Sequence, residues 1–250
     1  MILSPIARTT SGSVFVDDPS AAVIAVDVQP TFMPGGGLAV ADAHEIVPVG
    51  AVLFGRFLSD RRICTRDLHP RGHISLASSY LSARPFDGLT AADIDANPFN
   101  RIRSHALFSI DELREELAHG PQTLWPDHAL EGTEESRVVH EIESLSSITW
   151  TKGTNARRDS YSAFRDNGGV PTGLGDFLRA RSVRRVFLFG IAFDVCLGFS
   201  ALDALDEEFD TIVVTDLCPA ISESGAAAMA KRLIDAGVHF APSGQIIGGS

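Results

Sequence analysis

Three cysteines in 250 residues, Cys64, Cys196 and Cys218, are too few and too scattered for a disulfide framework. That usage fits a reducing compartment. No apolar run reaches the roughly 18 residues needed to cross a bilayer, so no transmembrane segment is expected. The opening stretch Met1–Thr10 lacks a basic segment followed by an apolar one, so no signal peptide is expected and the location implied is cytoplasmic. Positive charge is also scarce. Lys and Arg number 21 against 32 Asp and Glu, a formal net charge of −11 that argues against nucleic acid or an anionic membrane surface as partner. What the chain does have is apolar substance. At 44% hydrophobic it can fill the core of one large α/β domain over residues 1–250, with no need of a second. There is no internal repeat, low-complexity tract or interdomain linker.

Short β-rich apolar runs alternate with longer helical patterns. Strands are expected at 21–27, 61–66, 147–151, 184–189, 210–215 and 238–241, and helices at about 44–58, 110–118, 173–181, 195–208 and 223–236. Ser222 can cap the start of the last helix and Gly237 can end it. The pattern predicts a three-layer α/β sandwich: a central, mainly parallel sheet of about six strands with helices on both faces. The stretch 77–124, with Pro85, Gly88, Pro98 and mixed charges, reads as an insertion with a short helix, a lid or an oligomer contact.

Ligands of open α/β sheets gather at the carboxyl ends of the strands. Asp27, Asp67 with His69, Lys152 and the turn from Gly190 to Cys196 all fall at such ends and imply a single site; Asp216 closes a further strand. Asp67 and His69 lie two residues apart at a strand end, point the same way and can share one ion. Carboxylate with imidazole suits zinc, iron or manganese better than calcium. Alone, such a triplet is more often a solvated loop or a satisfied structural pair than a ligand set. Cys196 is placed in the first turn of the next helix, where the dipole and free amides favour thiolate. The ordinary fate of a free cysteine is to be a small buried hydrophobe, and Cys64 and Cys218 are read that way. Lys152 would bring positive charge near the Cys196 thiol, and Asp27 could accept its proton.

These residues in this order resemble the nicotinamidases, metal-dependent amidases of the isochorismatase-like hydrolase superfamily. The matching segments begin at Asp27-Val-Gln-Pro-Thr-Phe32 and Asp67-Leu-His-Pro-Arg-Gly-His-Ile-Ser75. They continue through Leu124–Thr133, Lys152-Gly153, Asp159–Asn167 and Gly190–Cys196. The resemblance implies the isochorismatase-like fold and a catalytic triad of Asp27, Lys152 and Cys196. It implies one divalent metal ion, zinc before iron or manganese, held by Asp67, His69 and His128. His73 stays open between a further ligand and a loop hydrogen-bonder. Phe32 and Trp125 would wall the pyridine ring with Tyr161 nearby. A cis peptide before Ala192 would let the amides of Ala192 and Cys196 form an oxyanion hole.

The implied reaction is hydrolysis of nicotinamide to nicotinate and ammonia through a cysteine thioester, feeding NAD salvage. The expected partner is that small molecule, with a homo-oligomer left open. The chain departs from the family pattern at Leu68, where tryptophan is frequent, at Thr31, where an acid is usual, and at Val195, where relatives carry Tyr or His. These bear on pocket shape more than on reaction class. The nearest alternative is a superfamily amidase for another small amide, such as a carbamoyl or maleamate compound, whose members mostly lack this ligand set. An isochorismatase proper would lack Cys196. A non-catalytic protein sensing a pyridine metabolite would have no use for the triad.

Overall fold

The run Ala21–Val26 is apolar throughout, and as strand β1 it is buried along its whole length, as the middle strand of a parallel sheet should be. A computed structural model describes residues 18–95 and 102–247. The N-terminal stretch read for a signal peptide and residues 96–101 of the insertion lie outside the described residues.

Strands β2 (Arg62–Asp67), β5 (Ile148–Lys152), β6 (Arg185–Gly190), β7 (Asp210–Val214) and β8 (His239–Ala241) join β1 in one six-stranded sheet. Two short strands, β3 (Gly88–Leu89) and β4 (Gln122–Thr123), pair antiparallel outside it. The large sheet has the order β5-β2-β1-β6-β7-β8, and every pairing in it is parallel. The chain adds strands to one side of β1, then crosses to the other with β6. The crevice opens at such a reversal, outside the carboxyl ends of the strands.

The helices are α1 (Ile46–Gly55), α2 (Ala91–Asp95), α3 (Ile110–Leu117), α4 (His140–Glu143), α5 (Leu174–Arg179), α6 (Gly198–Asp206), α7 (Glu223–Ala236) and α8 (Ser243–Ile247). Apart from α2 and α3, which pack together in the insertion, they flank the sheet, α1 packing with α4 and α8, and α6 with α7. Phe187 and Phe189, two apart on β6 and so on one face, meet Phe57 and Phe54 edge-on at 5.1 and 5.7 Å between ring centres. Helix α7 has the expected bounds, with the Ser222 hydroxyl accepting from the Gly225 amide and Gly237 at φ 98° beyond its end. Asp216 turns out to cap α8: its carboxylate accepts from the Ser243 amide and hydroxyl, away from the site.

The helix expected over 195–208 runs over 193–206: its opening stretch Phe193–Leu197, which holds Cys196, is π-helical and passes directly into α6 at Gly198. The insertion 77–124 carries its own small core, in which Ile74, Tyr80, Leu89, Phe108, Leu113 and Leu124 pack together. Its helix α3 opens with a capping box in which Ser109 and Glu112 satisfy each other's free amides.

Gly190 ends β6 with φ 128°, and a side chain there would place Cβ 2.0 Å from the Val26 carbonyl oxygen. Gly190→Ala is expected to destabilise the fold by at least the roughly 1–3 kcal/mol of a strained backbone position. Gly55→Ala, where a Cβ meets nothing within 4 Å, should instead stabilise α1 by about 0.5–1 kcal/mol. Denaturant unfolding midpoints of the two variants against the parent check both signs.

Candidate active site and metal centre

Strand register does the first positioning. Asp67 and Lys152 are paired residues at the carboxyl ends of β2 and β5, and Val26 pairs with Gly190, which leaves Asp27 beside the turn that carries Cys196. Asp27 adopts φ 49° and is fully buried, its Oδ1 accepting from the Thr65 hydroxyl at 2.6 Å. Lys152 Nζ lies 3.1 Å from Asp27 Oδ2 and 3.1 Å from Asp67 Oδ1. It also donates to the Ser160 carbonyl at 2.9 Å and stands 3.5 Å from Cys196 Sγ. The four residues taken from separate strand ends are thus in direct contact.

Burial alone would strip the proton from Lys152, but the Asp27 and Asp67 carboxylates hold its pKa well above the usual value, so it stays an ammonium. Burial, reinforced by the charge of Asp67, pushes the Asp27 carboxyl up against the pull of Lys152. Asp67 goes the other way: burial would raise it, but His69 and Lys152 together hold it well below the carboxylate range. Burial also drives the Cys196 thiol well up, with Lys152 opposing and Asp27 adding to the rise. Burial thus works against the thiolate that a helix start favours. At rest Cys196 is a thiol, beside a carboxylate more basic than an exposed aspartate. Cys64 and Cys218 are buried as small hydrophobes, the Cys64 thiol pushed up to about 12 by burial.

The other oxygen of Asp67 turns to two imidazoles. Its Oδ2 lies 3.0 Å from His69 Nε2 and 3.5 Å from His128 Nε2. His69 Nδ1 is 3.0 Å from the Gly153 carbonyl and His128 Nδ1 is 2.8 Å from the Pro126 carbonyl. A carbonyl only accepts, so each Nδ1 carries the hydrogen and each Nε2 is left to face Asp67. The three donor atoms lie within 4.8 Å of one another. One carboxylate and two imidazoles so oriented fit a divalent first-row cation. The attraction of Asp67 raises the His69 pKa despite burial, the pull that a cation would answer. His73 is engaged at both nitrogens. Its Nδ1 accepts from the Ser75 amide at 3.2 Å and contacts the Ser75 hydroxyl at 2.8 Å, while its Nε2 lies 3.2 Å from the Arg158 carbonyl.

Cys196, Ala192, Asp67, His69 and His128 line one pocket together with Phe32, Trp125 and Tyr161. Asp27 and Lys152 stand behind Cys196. The Ile191–Ala192 peptide is cis. The pocket also includes Leu38, Asp159, Val195 and Ile221, none of which sequence reasoning singled out as site residues. Asp159 and Val195 lay within the matching segments, which was the available signal. Two supporting residues were also missed. The buried amide of Gln29 accepts from the Asp67 amide at 2.8 Å and donates to the Asp67 and Ser136 carbonyls, bracing the end of β2. Asp194 accepts from the amides of Ile221 and Ser222 and ties the Cys196 turn to α7. Thr31 accepts from the Ala129 amide at 3.0 Å and so fixes the loop of His128.

The description of the isochorismatase domain matches residues 21–244. A nicotinamidase of Acinetobacter baylyi is 33% identical over 229 residues, 90% of this chain and 94% of the relative. The solved nicotinamidase and pyrazinamidase of Acinetobacter baumanii superposes with a TM-score of 0.77 at 32% identity, covering 91% of this chain and 98% of that one. PnC1 of L. infantum, solved in complex with nicotinate, gives a TM-score of 0.72 at 26% identity over 94% and 98% of the two chains. Among the described residues no helix is long and apolar enough to cross a membrane. On sequence and fold together, the chain belongs to the isochorismatase family of hydrolases, with nicotinamidases among its relatives.

Proposed function

We propose that this hydrolase is a metal-dependent amidase that converts nicotinamide to nicotinate and ammonia through a thioester on Cys196. The observation that carries the reading is the contact of one buried ammonium, Lys152, with Asp27, Asp67 and the Cys196 thiol at the floor of a pocket walled by aromatic rings. The activity of the Acinetobacter relatives and the nicotinate bound to the L. infantum protein support the substrate class.

Asp27 takes the Cys196 proton as Sγ attacks the carboxamide carbon, and Lys152 stabilises the sulfur and keeps Asp27 in place. The amides of Ala192 and Cys196 receive the oxyanion. Asp27 returns the proton to the departing nitrogen, and ammonia leaves the thioester behind. It then draws a proton from a water that attacks the thioester carbon; the C–S bond breaks and the sulfur recovers the proton. Raised basicity at Asp27 suits both transfers, because a carboxyl nearer neutrality exchanges protons with thiol and amine more evenly. Asp67, His69 and His128 would hold the ion, zinc before iron or manganese, and its chemistry there is a Lewis-acidic partner for the ring nitrogen that orients the substrate. Phe32 and Trp125 hold the ring's faces.

Cys196→Ala should abolish turnover, measured as ammonia release, while fold and metal content persist; Cys64→Ala and Cys218→Ala should stay active. Residual activity of the Cys196 variant within about tenfold of the parent would remove it as nucleophile. Asp67→Ala, His69→Ala and His128→Ala should each lower metal occupancy on elemental analysis, and His73→Ala less, since its ring is already bonded on both sides. Nicotinamide and pyrazinamide should both be cleaved. Benzamide keeps the shape and the scissile bond but has no ring nitrogen, so its kcat/KM should fall by on the order of 10⁴. Comparable values would mean that the metal does not read the ring.

A further inference from the structure

One buried carboxylate in the pocket has no part in the reaction described above. Asp159 is 2% exposed and lines the same pocket as Cys196 and the histidines. It is held on three sides. Its Oδ1 accepts from the Ser160 amide at 2.9 Å, its Oδ2 accepts from Gln122 Nε2 at 2.9 Å, and its own amide donates to Glu116 Oε1 at 3.1 Å. Glu116 and Gln122 both come from the insertion, on α3 and β4.

An ionised carboxylate offers about four acceptor positions. Two are used here, and the pocket borders the rest. A pyridine nitrogen also only accepts, so it cannot be the partner of Asp159. A donor must be. One oxygen of Asp159 lies within 4.8 Å of a ring nitrogen of His69 and of one of His73. That trio is poorly suited to an ion of its own. His73 is bonded through both nitrogens, and His69 is committed to Gly153 on one side and to Asp67 on the other.

We propose that Asp159 is a positioning residue of the metal centre: its carboxylate accepts a hydrogen bond from a water that completes the coordination shell of an ion held by Asp67, His69 and His128. The inference rests on the metal-dependent reading above. It gives the insertion a task, since Glu116 and Gln122 hold Asp159 in place.

The test needs no substrate. Apoprotein is titrated with zinc and with cobalt(II) under chelator competition, and the visible spectrum of the cobalt form is followed against pH. Asp159→Asn should weaken metal binding by about 10- to 100-fold, as loss of an outer hydrogen-bond partner does, with the melting temperature of the apoprotein unchanged. The pH midpoint of the cobalt spectrum should move down, because a negative acceptor beside the shell water disfavours its ionisation. Gln122→Leu, which frees the carboxylate without removing it, should shift affinity the same way by less, and it decides the matter if the Asn variant does not fold. Affinity within twofold of the parent and an unmoved midpoint in either folded variant overturn the role of Asp159 alone. A parent protein that takes up neither metal overturns the metal-dependent reading and this inference with it.

Discussion

A lone ammonium buried among strand ends would be intolerable, and the site is organised around making the Lys152 ammonium tolerable. A buried charge costs several kcal/mol unless it is paired and hydrogen-bonded. Lys152 has two carboxylates at 3.1 Å and a carbonyl at 2.9 Å. Those partners come from β1, β2 and the segment after β5, so satisfying one cation fixes three parts of the chain. Asp67 is the hinge of the arrangement. One of its oxygens faces Lys152 and the other faces His69 and His128, so a single side chain belongs both to the surroundings of the Cys196 thiol and to the histidine cluster.

Much of this was legible in the sequence because the rule involved is positional. In a parallel sheet the carboxyl ends of the strands share one edge, so a polar residue closing an apolar run can be placed there without knowing its neighbours. Asp27, Asp67 and Lys152 were found that way. The continuous apolar run of β1 and the Ser222 and Gly237 punctuation of α7 were equally plain. The state of Cys196 was not. Burial, which depends on what packs above it, pushes its thiol up, and nothing local announces that the first turn of its helix is π-type. Gln29, Thr65 and Asp159 act through partners about 37 to 38 positions away or more, and nothing local announces such bonds. The insertion resisted reading because its strands are two residues long, although the Ser109–Glu112 box was available as a helix start.

Two of the three departures from the family pattern, Thr31 and Val195, have a place beside the site. Thr31 replaces an acid with a hydroxyl that serves the backbone of the His128 loop. Val195, with Leu38 and Ile221, gives the pocket an apolar side facing Cys196.

The insertion's separate small core has an architectural consequence. Its apolar residues pack with one another, while its contribution to the pocket is made by polar contacts from Glu116 and Gln122 and by Phe86, whose ring meets Trp125 edge-on at 6.1 Å. Segment and sheet are therefore joined in the manner of a buttress and a wall. No described residue of the segment lines the pocket itself; it bears on Asp159 and Trp125 from behind. A change in the segment would therefore reach the pocket only by shifting those two residues, leaving the strand ends in register.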